Sequence, residues 1–442
     1  MEQSLIAATS GIQANQTYLD VIGNNIANSN TTGYKSQTVG FTDLLAEQIA
    51  GASAPTATSG GVNPMAIGAG VRVGAVTDQQ TQGAIQDTNV PTDVAIQGNG
   101  FLIASQAGQT YFTRNGQLSL DANGNLTTPN GALIQGWLAN ASGVINTASP
   151  TGNVTIPTSG SLPATATTQL TLGGNIDSAS TTPVSFTYNA YDSLGNAVPI
   201  TFTLTPVSGT PGSWTMQATV PNGTGGSVNL YGSPGPTVTF ATSGSTAGQI
   251  TGITAGTGTP AGTVSGTAST GLSVTLPTTN MPASYTFASG ATIGIDFPPA
   301  GSTGQVTQDS ASSTIVGTSQ NGHAAGSLQS FSIGADGTIL GSFSNGQSQT
   351  IGQIALATFA NPAGLSSNGN LMYQASANSG GANIAAPGSG GTGTLVGGAL
   401  EGSNVDLSTQ LTDLIVAQEA YQANTKVITT TDTTFQSLMQ VP

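Results

Sequence analysis

The chain has 442 residues, enough for about two to four domains, and 37% of them are hydrophobic. Charged residues make up only 5%, with four Lys and Arg against eighteen Asp and Glu for a net charge of −14. So few cations cannot neutralise a run of phosphates, which excludes nucleic acid and disfavours an anionic membrane surface, and the absence of cysteine excludes disulfides and thiolate metal sites.

At the start, Leu5, Ile12, Leu19 and Ile26 recur every seven residues, with Ala8, Asn15 and Ile22 alongside. That repeat predicts a helix over residues 1–30 with a coiled-coil seam. The helix is weak, because Asn15, Gly23 and a crowd of Asn, Ser and Thr are poor helix formers. The opening MEQSLIAATSGIQANQ lacks the basic segment and long apolar core of a secretory signal. Read alone, that lack of a signal points to the cytoplasm, and an unfolded, uncleaved export signal is compatible with the same residues.

Residues 31–70 read as a connector, small and Pro-containing over Gly51–Gly61. From there the period switches to two. Leu118 and Leu120, the loop DANGN and Leu126 predict one β-hairpin. Val184, Phe186, Tyr188 and Ala190, the turn Asp192–Asn196, then Val198, Ile200, Phe202 and Leu204 predict a second. A third turns at Ala335–Gly337. Residues Thr242–Gly271 are nearly all Gly, Thr, Ser and Ala, and suit loops or weak strands. AAPGSGGTGTLVGG reads as a flexible connector within 386–402.

At the finish, Leu407, Leu414, Tyr421, Ile428 and Phe435 again recur every seven residues, supported by Leu411, Ala417 and Leu438. Ser403 followed by Asp406 resembles a capping box for a helix of some 35 residues, about 50 Å at about 1.5 Å per residue. With no helical partner legible between the ends, the two stripes are expected to pair with each other and with neighbouring molecules.

Residues suited to chemistry are scarce. The only histidine, His323, lies in a glycine-flanked loop and reads as an exposed bystander. Gly388, Gly390 and Gly393 have dinucleotide-motif spacing but lack the strand before and the helix after. Asp121 and Asn123 imitate a calcium loop, yet Ala132 stands where a bidentate Glu is required, so they are read as shaping a turn. Arg114, one of four cations, is placed either to pair with a carboxylate on a neighbour or to stand solvated on its strand. No catalytic, cofactor or metal residue is assigned, and the chain is read as a non-enzyme.

The stretch IGNNIANSNTTGYK resembles the N-terminal signature of the bacterial flagellar rod and hook axial proteins. Its residues Asn24, Asn25, Asn28, Thr32, Gly33 and Tyr34 carry that resemblance, with Gln418, Tyr421 and Asn424 in the matching C-terminal segment. IQGNGFLIAS and YFTRNGQLSLDANGNLTTPNGALIQGW resemble the family's inner β-domain. NAYDSLGNAVPITFTL and GTILGSFSNGQSQTIGQIALATFANPAGLSSNGNLMY resemble the hook proteins in particular.

The resemblance implies a multi-domain, mainly β chain whose outer domains stack on an α-helical coiled-coil inner domain formed by both termini. The implied order is a helix over 1–30, a connector over 31–70 and an inner β-domain from 71–150 with 311–385. An outer variable β-region follows over 151–310, then a connector over 386–402 and a helix over 403–442. Leu5, Ile12, Leu19, Ile22 and Ile26 are expected to meet Leu407, Leu411, Leu414, Tyr421, Ile428, Phe435 and Leu438. The implied function is a self-assembling subunit of the hook, a universal joint carrying torque from rod to filament outside the cell, exported without a cleaved signal peptide. Implied partners are copies of itself, the distal rod protein, the hook cap, the hook-length control protein, the hook-filament junction protein and the flagellar type III export apparatus. No cofactor, nucleic acid or membrane insertion is implied. The alternatives are a distal rod protein of the same family and an acidic secreted β-rich adhesin.

Overall fold

The computed structural model describes residues 2–56, 58–140, 142–158, 161–288 and 291–439. The chain forms two compact units. One comprises residues 1–158, 330–341 and 349–442, the other residues 159–329 and 342–348.

In the first unit the termini are helical: α1 is Glu2–Ala27 and α2 is Leu407–Met439. They run antiparallel, since Asn25 near the end of α1 bonds Gln410 near the start of α2, while Gly11 meets Asn424. The expected capping box is not what starts α2. Asp406 caps it instead, accepting from the Ser408 and Thr409 N–H groups at 2.9 and 3.3 Å, while Ser403 Oγ accepts only from Val405 N–H. An aspartate just before the first helical residue outcompetes a serine three positions earlier.

Residues 31–70 contain more order than a connector. Gln37–Asp43 pairs antiparallel with Val71–Asp78, with a bulge between Gly40 and Phe41. Tyr18 of α1 meets the Phe41 ring edge-on at 5.6 Å, and Ser10 Oγ accepts from the Val71 N–H. A second small hairpin, Glu47–Ala50 with Met65–Ile67, leaves Leu45, Ile49, Val62, Met65 and Ile67 exposed.

The unit's main sheet sets Leu133–Leu138, Phe101–Gln106, Gln109–Thr113 and Met372–Gln374 side by side. Phe101, Ile103, Phe112, Trp137, Phe359 and Tyr373 pack over it, four of the rings meeting in three edge-on pairs. The stretch 386–402, expected as a flexible connector, instead carries two strands. Thr394–Gly397 pairs with Val94–Gln97, and Ala399–Glu401 pairs with Ile85–Asp87. Leu395 and Ala399 are buried there, so apolar burial holds a glycine-rich sequence in place.

The second unit is two six-stranded sheets that share one core. One sheet runs Val184–Tyr191, Ala197–Pro206, Ser213–Pro221, Thr237–Phe240 and Ile250–Thr254 in order. The other places Gln169–Asn175 parallel to Thr292–Phe297 and antiparallel to Val316–Gln320. Val198, Ile200, Phe202 and Leu204 alternate inward along one strand and meet Trp214, Met216, Leu170, Val274 and Ile295. The period of two thus becomes the inner face of a sandwich. Asp192 closes the first hairpin as expected from its turn sequence. Its carboxylate accepts from the Leu194 and Asn196 N–H groups at 3.0 and 2.8 Å.

Candidate assembly interface

The two helices meet along small residues. On α1 the covered row is Ala8, Gly11, Ala14, Ile22 and Asn25, at spacings of three and eight residues that return to one helical face. A Cβ at Gly11 would lie 2.8 Å from the Asn424 amide, so the backbones approach too closely for a side chain there. On α2 the covered positions are Gln410, Leu414, Ala417, Asn424, Ile428 and Thr431, all buried or half-buried.

The expected stripe residues therefore divide. Ile22 is buried, Leu414 and Ile428 are half-buried within the covered row of α2, and Leu5, Ile12, Leu19 and Ile26 are half-buried beside that of α1. Leu407, Leu411, Tyr421 and Phe435 are exposed, as are Ile415, Val416 and Val427. The side chain of Leu438 lies outside the described ones. Leu407, Leu411 and Ile415 form a second row, four apart, that α1 does not cover. Phe435 and Met439 are uncovered for a different reason: the antiparallel register carries them past the first turn of α1.

Below the helix pair, the turn after α1 is fastened to the sheet. Asn28 donates back to Asn24 O at 2.9 Å, and Thr31 Oγ1 donates to Asn28 Oδ1. Thr32 reaches Asn115 at 3.4 Å. Gly33 adopts φ +71° and donates its N–H to Glu401 O at 2.7 Å, with Asn115 N only 2.8 Å from where a Cβ would stand. Asn25 is the knot: its amide donates to Gln37 O and Gln410 Oε1, and its Oδ1 accepts from Gln37 N–H and Tyr34 OH. Burial, then the Asp78 carboxylate, pushes the Tyr34 hydroxyl above its ordinary value. Gln418 is exposed, and Asn424 donates to Ala420 O while facing Gly11.

Glu401 holds this base together. Its Oε1 accepts from Lys35 Nζ at 2.7 Å and from Gly83 N–H at 2.9 Å, and its Oε2 faces Arg114 Nη1 at 3.3 Å. All three side chains are buried, and the Arg114 guanidinium sits 5.4 Å from the Phe101 ring centre. Burial pushes both Lys35 and Arg114 below their ordinary values, with Glu401 opposing it. Arg114 is thus not solvated on its strand: its guanidinium is buried and pairs with Glu401 of its own unit. A buried pair adds little net stability, yet removing one partner strands the other charges. Asn404 adds a second tie, accepting from Ser36 N–H and donating to Gln79 and Thr81 carbonyls. Sequence reading missed Glu401 and Asn404. Glu401 was visible as an acid at an inward-alternating position after Leu395 and Ala399, in a chain with only four cations.

His323 lies in the second unit, half-buried, with Asn345 donating toward its Nδ1 at 3.3 Å. Among the described residues, no cluster of three His, Asp or Glu is arranged to hold a metal.

Four family models match parts of this chain. A model described as flagella basal body rod protein matches residues 5–35, and one described as flagellar basal body rod FlgEFG protein C-terminal matches 396–441. Between them, the flagellar hook protein FlgE/F/G D1 domain matches 95–175 and the flagellar basal body protein FlaE D2 domain matches 161–323. The flagellar hook protein FlgE of Treponema pallidum is 36% identical over 476 aligned residues that span the whole of both chains. The chain belongs to the flagellar hook protein family. The same-named proteins of Borreliella burgdorferi and Salmonella typhimurium are 34% and 33% identical, covering all and 99% of this chain and all of each relative. These matches do not favour the distal-rod or adhesin alternatives. The buried triad gains meaning in a hook-family chain, because Lys35, Arg114 and Glu401 come one each from the first, second and last matched segments.

Proposed function

We propose that the chain is a structural subunit that polymerises with copies of itself into the tubular flagellar hook. The carrying observation is the outward row Leu407, Leu411 and Ile415 on α2, left bare while the inner row is filled by small residues. A soluble helix normally turns its large apolar side chains inward. Here the pairing with α1 uses little of that area, so further copies cover the rest, and helix order strengthens with assembly. Residues Leu5, Ile12, Leu19 and Ile26, half-buried beside the contact, extend the same surface. The exposed apolar arm around Leu45, Ile49, Val62 and Met65 supports the same reading.

In this proposal the family's further properties follow. The assembled tube acts as a flexible joint outside the cell, transmitting torque from rod to filament. The subunit leaves through the flagellar export apparatus without a cleaved signal, and meets the distal rod protein, the hook cap, the hook-length control protein and the hook-filament junction protein. The role is structural rather than catalytic. Electron microscopy of the purified full-length chain, beside one lacking residues 1–30, tests it. Tubes from the intact chain alone are expected; tubes from both, or from neither under conditions that keep the second unit folded, overturn it.

A further inference from the structure

Five buried side-chain polar atoms lack a hydrogen-bond partner among the described residues, and three of them gather at one place. They are Gln80 Nε2, Gln80 Oε1 and Arg114 Nε. Both residues line a cavity of about 310 Å³ in the first unit, together with Asn99, Phe101, Thr358 and Phe359. Arg114 is only 4% exposed, and its other two nitrogens are committed to Glu401 and Gly98 O. The Gln80 amide lies near enough to the Tyr373 hydroxyl to bear on its titration, without hydrogen-bond geometry between them.

Charge at the cavity is unbalanced. Lys35 and Arg114 share one carboxylate, Glu401, which leaves one positive charge over. Asp78, which bears on Tyr34 and Tyr373, accepts from the Gln37 amide and, like Lys35 and Glu401, does not line the cavity, so Arg114 is the one charged side chain among the lining residues. A buried surplus charge with an uncommitted N–H is costly unless an acceptor of opposite sign meets it. We propose that this cavity is a binding site for a carboxylate. One oxygen would accept from Arg114 Nε–H and the other from Gln80 Nε2–H, beside the ring wall of Phe101 and Phe359. A monoanion matches the single surplus charge. The carboxylate comes either from a free small acid or from an Asp or Glu side chain of a second copy.

The chain has only two arginines, Arg72 and Arg114, so ¹⁵N-arginine labelling of the full-length protein gives two Nε–Hε resonances. Arg72 Nε already donates to Thr42 and serves as the internal control. Titration with acetate is expected to shift the Arg114 resonance saturably and leave Arg72 still. Acetamide, the neutral isostere, is expected to produce no saturable shift. Gln80→Met, which leaves the ionic triad whole, is expected to weaken acetate binding about tenfold or more, the effect of losing one hydrogen bond to a charged group. Adding unlabelled copies of the chain separates the sources: a shift that acetate then fails to add to assigns the site to a second copy, and an unchanged response to acetate assigns it to a free acid. No saturable response to acetate, an equal response to acetamide, or undiminished binding in Gln80→Met overturns the proposal.

Discussion

The β-sandwich and the terminal helix pair solve the burial of apolar side chains in opposite ways. In the sandwich Phe202, Trp214, Val274 and Ile295 are 0–1% exposed, and both sheets turn their alternating residues into one core. In the helix pair the covered row is Ala8, Gly11, Ala14, Ala417 and Asn424, while Leu411 is 46% and Ile415 60% exposed. One region is complete within a single chain. The other leaves large apolar side chains uncovered within the single chain.

That contrast breaks first where it is strongest. Trp214→Ala is expected to destabilise the sandwich by about 3–5 kcal/mol, read as a drop in the denaturant midpoint, with α-helical content unchanged. An equal loss of helix signal would show that the two units do not fold separately. Glu401→Ala is expected to cost the first unit about 3–5 kcal/mol by leaving Lys35 and Arg114 buried without a counter-charge. The sandwich transition should stay where it was.

A pH series sharpens the contrast. Burial pushes the Asp192 carboxyl up, but the Thr286 N–H, the Asn196 side chain and N–H, and the Leu194 N–H outweigh it and leave its value lowered. A depressed folded value means that the stabilisation is full above the ordinary 3.8 and lost as pH falls through the lower, folded value. The acid limb of sandwich stability should therefore flatten in Asp192→Asn, measured by urea unfolding at stepped pH. The smallest effect is expected at the helix surface: Leu411→Ser should change the stability of the dilute chain by no more than about 0.5 kcal/mol, because about half of the side chain is already in water.

How much of this was legible follows from which residues carry the signal. The sandwich hairpin was readable because Val198 to Leu204 alternate cleanly and DSLGN supplies an Asp that caps its own turn. The helices were readable from their seven-residue spacing, and so was part of the facing side, in Ala8, Ile22, Leu414, Ala417 and Ile428, but Gly11 and Ala14 were not. Gly11 and Ala14 carry almost no hydropathy, so the repeat drew the eye to Leu5, Ile12 and Leu19 on the flank. The strands at 394–401 hid behind glycines, whose small size suits close strand approach as well as flexibility. The Glu401 triad was illegible because its partners stand 366 and 287 residues away in sequence.

Because the chain contains no cysteine, Leu411→Cys creates a single thiol on the bare row of α2. Its alkylation rate, measured in the dilute chain and again in the assembled tube, asks directly what covers that row. Rapid labelling in the dilute chain and strong protection in the tube is the predicted result. Equal rates in both states would contradict it, since α2 would then remain bare in the very assembly held to complete it.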